Sequence, residues 1–152
     1  MSGKSTRKGK VYEREVARML RAAWPVADVR RTSQADRAGN SDVIATGHPV
    51  LEGLWLELND ARRPDPLAKL RQAERDVRAN QERGGGHRMP VVIWHRIHER
   101  SHQVTTRLWV LDALRDARGW SLPLLGSAVI TLDLQEFIEI VDCAAAAGAA
   151  AP

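Results

Sequence analysis

Hydrophobic positions recur along this chain with two different periods, and the switches between them outline its elements. From about Gly9 to Ala23, Tyr12, Val16, Met19, Leu20 and Ala23 form one stripe at roughly 100° per residue, the mark of an amphipathic helix. Arg14 and Arg18 lie opposite, in solvent, while Glu13 and Glu15 flank the stripe. The helix is expected to stop before Trp24-Pro25, because a residue preceding proline resists the helical region. Ala27 to Thr32 predicts a short strand, SQADRAGN a loop, and Asp42 to Ala45 a second strand followed by a turn at Gly47-His48-Pro49. Leu54 to Asn59 is the clearest strand. Its leucines face one side, and Trp55, Glu57 and Asn59 face the other.

Pro64 and Pro66 introduce a helix from about Leu67 to Gln81, with Leu67, Leu70, Ala73 and Val77 as its buried stripe and Gly84 to Gly86 ending it. Val91-Val92-Ile93-Trp94 has the all-apolar character of a central strand. Thr106 to Leu111 and Ala128 to Leu132 predict further strands, and Leu134 to Val141 a closing helix. No role is assigned to Asp112 to Gly126. The alternation predicts an α/β domain with a mixed sheet over residues 9–142, a flexible basic arm over 1–8 and a low-complexity, alanine-rich tail over 143–152.

With 152 residues there is room for one domain with a real core. The single cysteine, Cys143, excludes an internal disulfide framework. No run approaches the roughly 18 apolar residues of a membrane span, and the polar, basic start MSGKSTRKGK does not read as a secretory signal. These features predict a soluble, cytoplasmic protein without a membrane partner. A net charge of +4 adds a mild preference for a polyanion. The seven aromatics are scattered, so contacts to nucleic acid are expected to be to phosphates and not by base stacking.

Candidate chemistry lies in three acidic positions. Glu13 is on the first helix, Asp42 opens one strand and Glu57 sits in the next, where a carboxylate inside LWLEL must be exposed, paired or functional. If these two strands are adjacent and antiparallel, Asp42 and Glu57 meet. Converging carboxylates repel one another, and a hard divalent cation such as Mg2+ or Mn2+ relieves that cost. Blander readings compete: a solvent ion pair for Glu13, a turn residue for Asp42. His95, His98 and His102 lack a cysteine companion and read as a solvated segment. Cys143 reads as inert, and the triple glycine lacks the Lys-Ser/Thr of a phosphate loop.

In order and spacing, Lys8-Gly9 with Glu13-Arg14-Glu15 and Leu20, then Arg31 and Ser33, Asp42-Val43, Glu57-Leu58-Asn59, Gln72-Ala73 and the strand Val91 to Trp94 resemble the PD-(D/E)XK nuclease superfamily. Within it, the archaeal-type Holliday junction resolvases and their phage relatives are the most similar. The resemblance covers about residues 8 to 111. It implies a restriction-endonuclease-like mixed sheet flanked by helices, and a Mg2+- or Mn2+-dependent endonuclease of DNA, structure-directed and homodimeric, in a bacterial cell or phage-infected host. It further implies that Glu13, Asp42 and Glu57 are metal ligands, Glu13 directly or through a water. Ser33 would stand near the scissile phosphate and Gln72 would support the site. Lys4, Arg7, Lys8, Lys10 and Arg31 would contact DNA.

The chain departs from the pattern at Asn59, where the family has lysine. An amide donates a hydrogen bond but brings no charge. Arg62, Arg63 and Lys69 are the basic residues able to substitute. A catalytically silent DNA-binding module of the same fold, or a small protein-interaction domain without a nucleic-acid partner, are the competing readings.

Overall fold

The two-residue alternation in Leu54 to Asn59 decides how the layers are arranged, because it commits leucines to one side of a strand and Trp55, Glu57 and Asn59 to the other. A computed structural model describes the backbone of residues 3–32, 41–97, 99–115 and 128–149, and the side chains among these except for 3–9 and 115. In chain order it contains α1 (Gly3–Ala23), β1 (Asp28–Arg31), β2 (Val43–Thr46), a 3-10 turn (Leu51–Gly53), β3 (Leu54–Ala61), α2 (Pro66–Glu82), β4 (Met89–Arg96), β5 (Gln103–Arg107), α3 (Leu108–Arg115), β6 (Val129–Asp133) and α4 (Leu134–Ala149). The architecture is α/β, with a six-stranded mixed sheet in sequential order β1 to β6. Strands β3 and β4 pair in parallel and the other neighbouring pairs are antiparallel. A parallel pair needs a crossover, and α2 supplies it.

One face of the sheet carries the main core. Leu54, Leu56 and Leu58 join Val43, Val91, Ile93 and Val104 beneath Tyr12, Val16 and Leu20 of α1, Val110 and Leu114 of α3, and Phe137 and Val141 of α4. The other face is covered by α2, where Trp55 packs with Ala73 and Val77. Helix α2 starts cleanly. The Asp65 side chain accepts from the Ala68 N–H at 2.9 Å and Pro66 stands in the first turn, where no amide is needed. Gly84, at φ +85°, ends it in the left-handed conformation that favours glycine.

Several expectations need correction. Helix α1 begins at Gly3, so the backbone expected to be a loose arm is helical from that point. Residues 108–111 are helical and not strand: Val110, Leu111 and Leu114 are buried at helical spacing, and the strand ends at Arg107. The alanine-rich stretch continues α4 to Ala149, where Ala144 still packs into the core. Leu67 is exposed at the start of α2 and does not join its buried stripe. The loop 33–40, His98 and residues 116–127 lie outside the described residues. Among the described residues no helix is long and apolar enough to cross a membrane.

Phe137 is 1% exposed and ties α4 to the core. Phe137→Ala is expected to lower the unfolding free energy by about 3–5 kcal/mol, measured by urea denaturation. A loss below about 1 kcal/mol would mean that α4 is a peripheral appendage.

Candidate functional site

The antiparallel pairing of β2 with β3 is short, with Val43 opposite Leu56. This register puts Asp42 beside Glu57, as the sequence had led us to expect. Beyond that point the Leu58 N–H points toward β2, and it is satisfied by the Asp42 carboxylate, whose Oδ2 accepts at 3.0 Å. Asp42 therefore replaces a missing rung of the ladder. Its own carbonyl accepts from the Thr32 N–H at 3.0 Å. The buried Thr32 hydroxyl donates to the Ser41 carbonyl, and the Ser41 hydroxyl donates to the Val43 carbonyl at 2.7 Å. The two ends of the intervening loop are thereby held together, and the aspartate is fixed between them.

Glu57 faces α2 and is 5% exposed. Trp55 Nε1 donates to its Oε1 at 2.9 Å, a contact two residues apart on the same strand face. Its Oε2 meets the Lys69 ammonium at 2.7 Å. The same Nζ lies 3.8 Å from Asp42 Oδ2. Two carboxylates from two strands and one ammonium from the first turns of α2 thus form a single cluster. Burial first, and then the neighbouring Asp42 charge, push the Glu57 pKa up to about 7, with Lys69 and the Trp55 hydrogen bond offsetting only part. Burial works to lower the Lys69 pKa, but Glu57 and then Asp42 and Asp76 outweigh it and hold the ammonium above its ordinary value. The cluster is short of positive charge.

Glu13 does not join this pair. Its Oε2 lies 3.3 Å from Arg31 Nη1, and Arg31 stands opposite Val43 in the sheet register, on the face covered by α1. Asp42 and Glu57 face α2. The expected trio is therefore divided by the sheet, with two carboxylates on one side and one on the other. Among the described residues no three His, Cys, Asp or Glu side chains are close enough together to hold a metal ion. Two carboxylates still suit Mg2+ or Mn2+, since Mg2+ commonly binds through one or two carboxylates while keeping several waters. The deficit of positive charge at Glu57 is what such an ion would correct.

The remaining expected residues fall as follows. Asn59 is half-buried on the same strand face as Glu57. Gln72 is exposed on α2, and its amide donates to Asp76 Oδ2 at 3.4 Å, so it turns to its own helix and away from the carboxylates. Arg31 is held by Glu13 and is not a free phosphate ligand. Lys10 is half-buried on α1. Ser33, and the side chains of Lys4, Arg7 and Lys8, lie outside the described residues. Of Arg62, Arg63 and Lys69, it is Lys69 that reaches the acidic pair; Arg62 and Arg63 are exposed in the connection before α2.

A second cluster was not anticipated. On the α1 face, the Tyr12 ring stacks on His95 with centroids 4.5 Å apart and on His102 at 5.8 Å. Tyr12 Oη is 3.3 Å from His102 Nδ1, and Asp60 Oδ1 is 3.7 Å from His95 Nδ1. Burial, then Asp60 and Glu15, raise the Tyr12 pKa, while burial and then His95 lower that of His102. His95 and His102 are thus packed side chains, not members of a solvated segment. The signal was in the register: Asp60 and His95 are directly opposed on β3 and β4.

Comparison with protein-family models, with curated proteins and with solved structures gives no match to this chain.

The Glu57 shift has a direct thermodynamic consequence. A carboxyl whose folded pKa of about 7 exceeds the ordinary 4.5 binds its proton more tightly in the folded state. Its contribution to stability is fully present below pH 4.5 and is lost as pH rises through about 7. Against Glu57→Gln, which cannot ionise, wild type should lose stability over this window and then keep a constant offset above it. Parallel stability–pH curves for the two proteins, from urea unfolding, would contradict the assignment.

Proposed function

We propose that this chain is a Mg2+- or Mn2+-dependent endonuclease of DNA, of the PD-(D/E)XK kind, with branched DNA among its substrates. The observation that carries the reading is Lys69 Nζ at 2.7 Å from Glu57 and 3.8 Å from Asp42. The sequence pattern lacks its lysine at position 59, and an ammonium reaches the acidic pair from α2 instead. Asp42 and Glu57 would hold the divalent cation. When bound, that ion lowers the pKa of a coordinated water and neutralises charge on the phosphoryl oxygens.

The chain's own residues do the rest. The Lys69 ammonium stays charged and provides a donor that can orient water and offset the negative charge developing on the phosphate. Trp55 Nε1 fixes the Glu57 carboxylate in one rotamer, and the Leu58 N–H does the same for Asp42. Both carboxylates are therefore pre-organised, with little freedom left to lose on binding. The rival reading, a silent DNA-binding module, was founded on Asn59. Lys69 beside the acidic pair favours the active reading over it.

The test is nicking of supercoiled and four-way-junction DNA with and without Mg2+ or Mn2+. Asp42→Asn and Glu57→Gln should abolish cleavage. Lys69→Ala should slow it by about 100- to 1,000-fold, the usual cost of one transition-state donor. Asn59→Lys combined with Lys69→Ala should recover part of the lost rate, because an ammonium then returns to the same strand face as Glu57. Metal-independent nicking, or full activity in Glu57→Gln, would refute the reading.

A further inference from the structure

Charge is distributed very unevenly along this chain. Residues 61–88, which span α2 and its flanking connections, carry eight Lys and Arg against four Asp and Glu. Residues 108–149, from α3 through α4, carry two against six. One basic segment therefore lies on the side of the sheet that holds Asp42, Glu57 and Lys69; a second, residues 1–23 with seven Lys and Arg against two Asp and Glu, includes α1 on the opposite face. The α3–α4 end is acidic.

Within α2 the arrangement is more specific. Lys69, Gln72, Arg75 and Arg78 follow one another at three-residue intervals, which on a helix makes an oblique ridge. The ridge begins at the ammonium in the acidic cluster and climbs to the outer surface, where Arg71 lies beside it at the i, i+4 distance from Arg75. Gln72, Arg71, Arg75 and Arg78 are all exposed, as are Arg62 and Arg63 in the connection before the helix. None of these five arginines is ion-paired with a described residue. Of the helix's acidic residues, Glu74 is engaged by Arg107 through contacts of 2.6 and 3.0 Å, while Asp76 accepts from the neutral Gln72 amide and keeps its charge near Lys69 at the foot of the ridge. Only Glu82, exposed one turn beyond Arg78, stands near its far end.

We propose that this ridge, with Arg62 and Arg63 at its foot, is the surface that binds the phosphate backbone of duplex nucleic acid and leads a strand to Asp42, Glu57 and Lys69. The inference rests on the nuclease reading for its destination, though not for the binding itself. Guanidinium groups suit the task because they are permanently charged and pair with phosphate oxygens two at a time. No exposed aromatic side chain interrupts the ridge, so recognition is by phosphate and not by base stacking. The contact surface is thereby placed on α2. Arg31, by contrast, is already engaged by Glu13.

The experiment is the salt dependence of binding of the full chain to a fluorescent 20-base-pair duplex, in chelator so that no cleavage intervenes. The triple variant Arg71→Ala, Arg75→Ala, Arg78→Ala is compared with Arg14→Ala, Arg18→Ala, Arg21→Ala, which removes the same charge from exposed positions on α1. Each lost phosphate contact takes about 0.9 from the slope of log affinity against log salt, so the α2 triple should lower it by about 3 and the α1 triple by less than about 1. Unchanged melting temperatures for both variants show that folding is not the cause. Equal losses in the two variants, no change in the α2 variant, or tighter binding to anionic vesicles than to the duplex would each overturn the proposal. The nuclease reading is judged separately. If Glu57→Gln cleaves normally while the slopes differ as expected, the surface stands and the chemistry falls; equal slopes with metal-dependent cleavage intact give the reverse.

Discussion

A carboxylate buried between a sheet and a helix must have a counter-charge, and the arrangement of this fold's α2 side follows from that requirement. Glu57 cannot turn away, since Leu56 and Leu58 on either side of it are committed to the core on the opposite face. Removing an ion from water costs several kcal/mol unless it is paired and hydrogen-bonded. Lys69 and the Trp55 indole supply both needs, and Asp65 at the N-cap fixes the start of the helix that delivers the lysine. A second carboxylate, Asp42, is then brought close by the strand register, and the pair outweighs the single ammonium. Burial first, and then Asp42, therefore keep the Glu57 carboxyl above its ordinary pKa despite Lys69.

Much of this was legible in the sequence where a local rule had one solution. The strict alternation around Glu57 fixed which side chains share a face, and the short Asp42 to Glu57 separation through one turn anticipated antiparallel neighbours. The sequence anticipated a mixed sheet, and the structure shows that its parallel pair is β3–β4. Lys69 was visible only as one of three basic candidates. Its choice over Arg62 and Arg63 depends on α2's first turn pointing one flank of the helix back at the sheet, and no spacing rule along the strand carries that information.

What could not be read has equally physical causes. Leu108 to Leu114 is apolar enough to pass for a strand, and only the burial of Val110, Leu111 and Leu114 shows the helical period. Poly-alanine carries little hydrophobic signal, yet alanine is the best helix former, and here the tail simply prolongs α4. The stack of Tyr12 with His95 and His102 joins α1, β4 and the segment before β5. Its members are 83 and 90 positions apart in sequence from Tyr12, so no local pattern points to it.

The division of acidic groups between the two faces of the sheet bears most on mechanism. Glu13 was grouped with Asp42 and Glu57 on its place flanking the apolar stripe of the first helix and on the family resemblance, but strand alternation separates Arg31 and its partner Glu13 from Asp42. A side chain on the α1 face is insulated from the α2 face by the thickness of the sheet. Glu13 meets its counter-charge on that face, in Arg31 at 3.3 Å. A cation at Asp42 and Glu57 would therefore have two carboxylates, one adjacent ammonium and the remainder of its shell as water. Such a site binds loosely and keeps positions open for phosphate oxygens. These are the properties needed if the substrate's own charge completes the coordination, with Lys69 opposing the excess that remains.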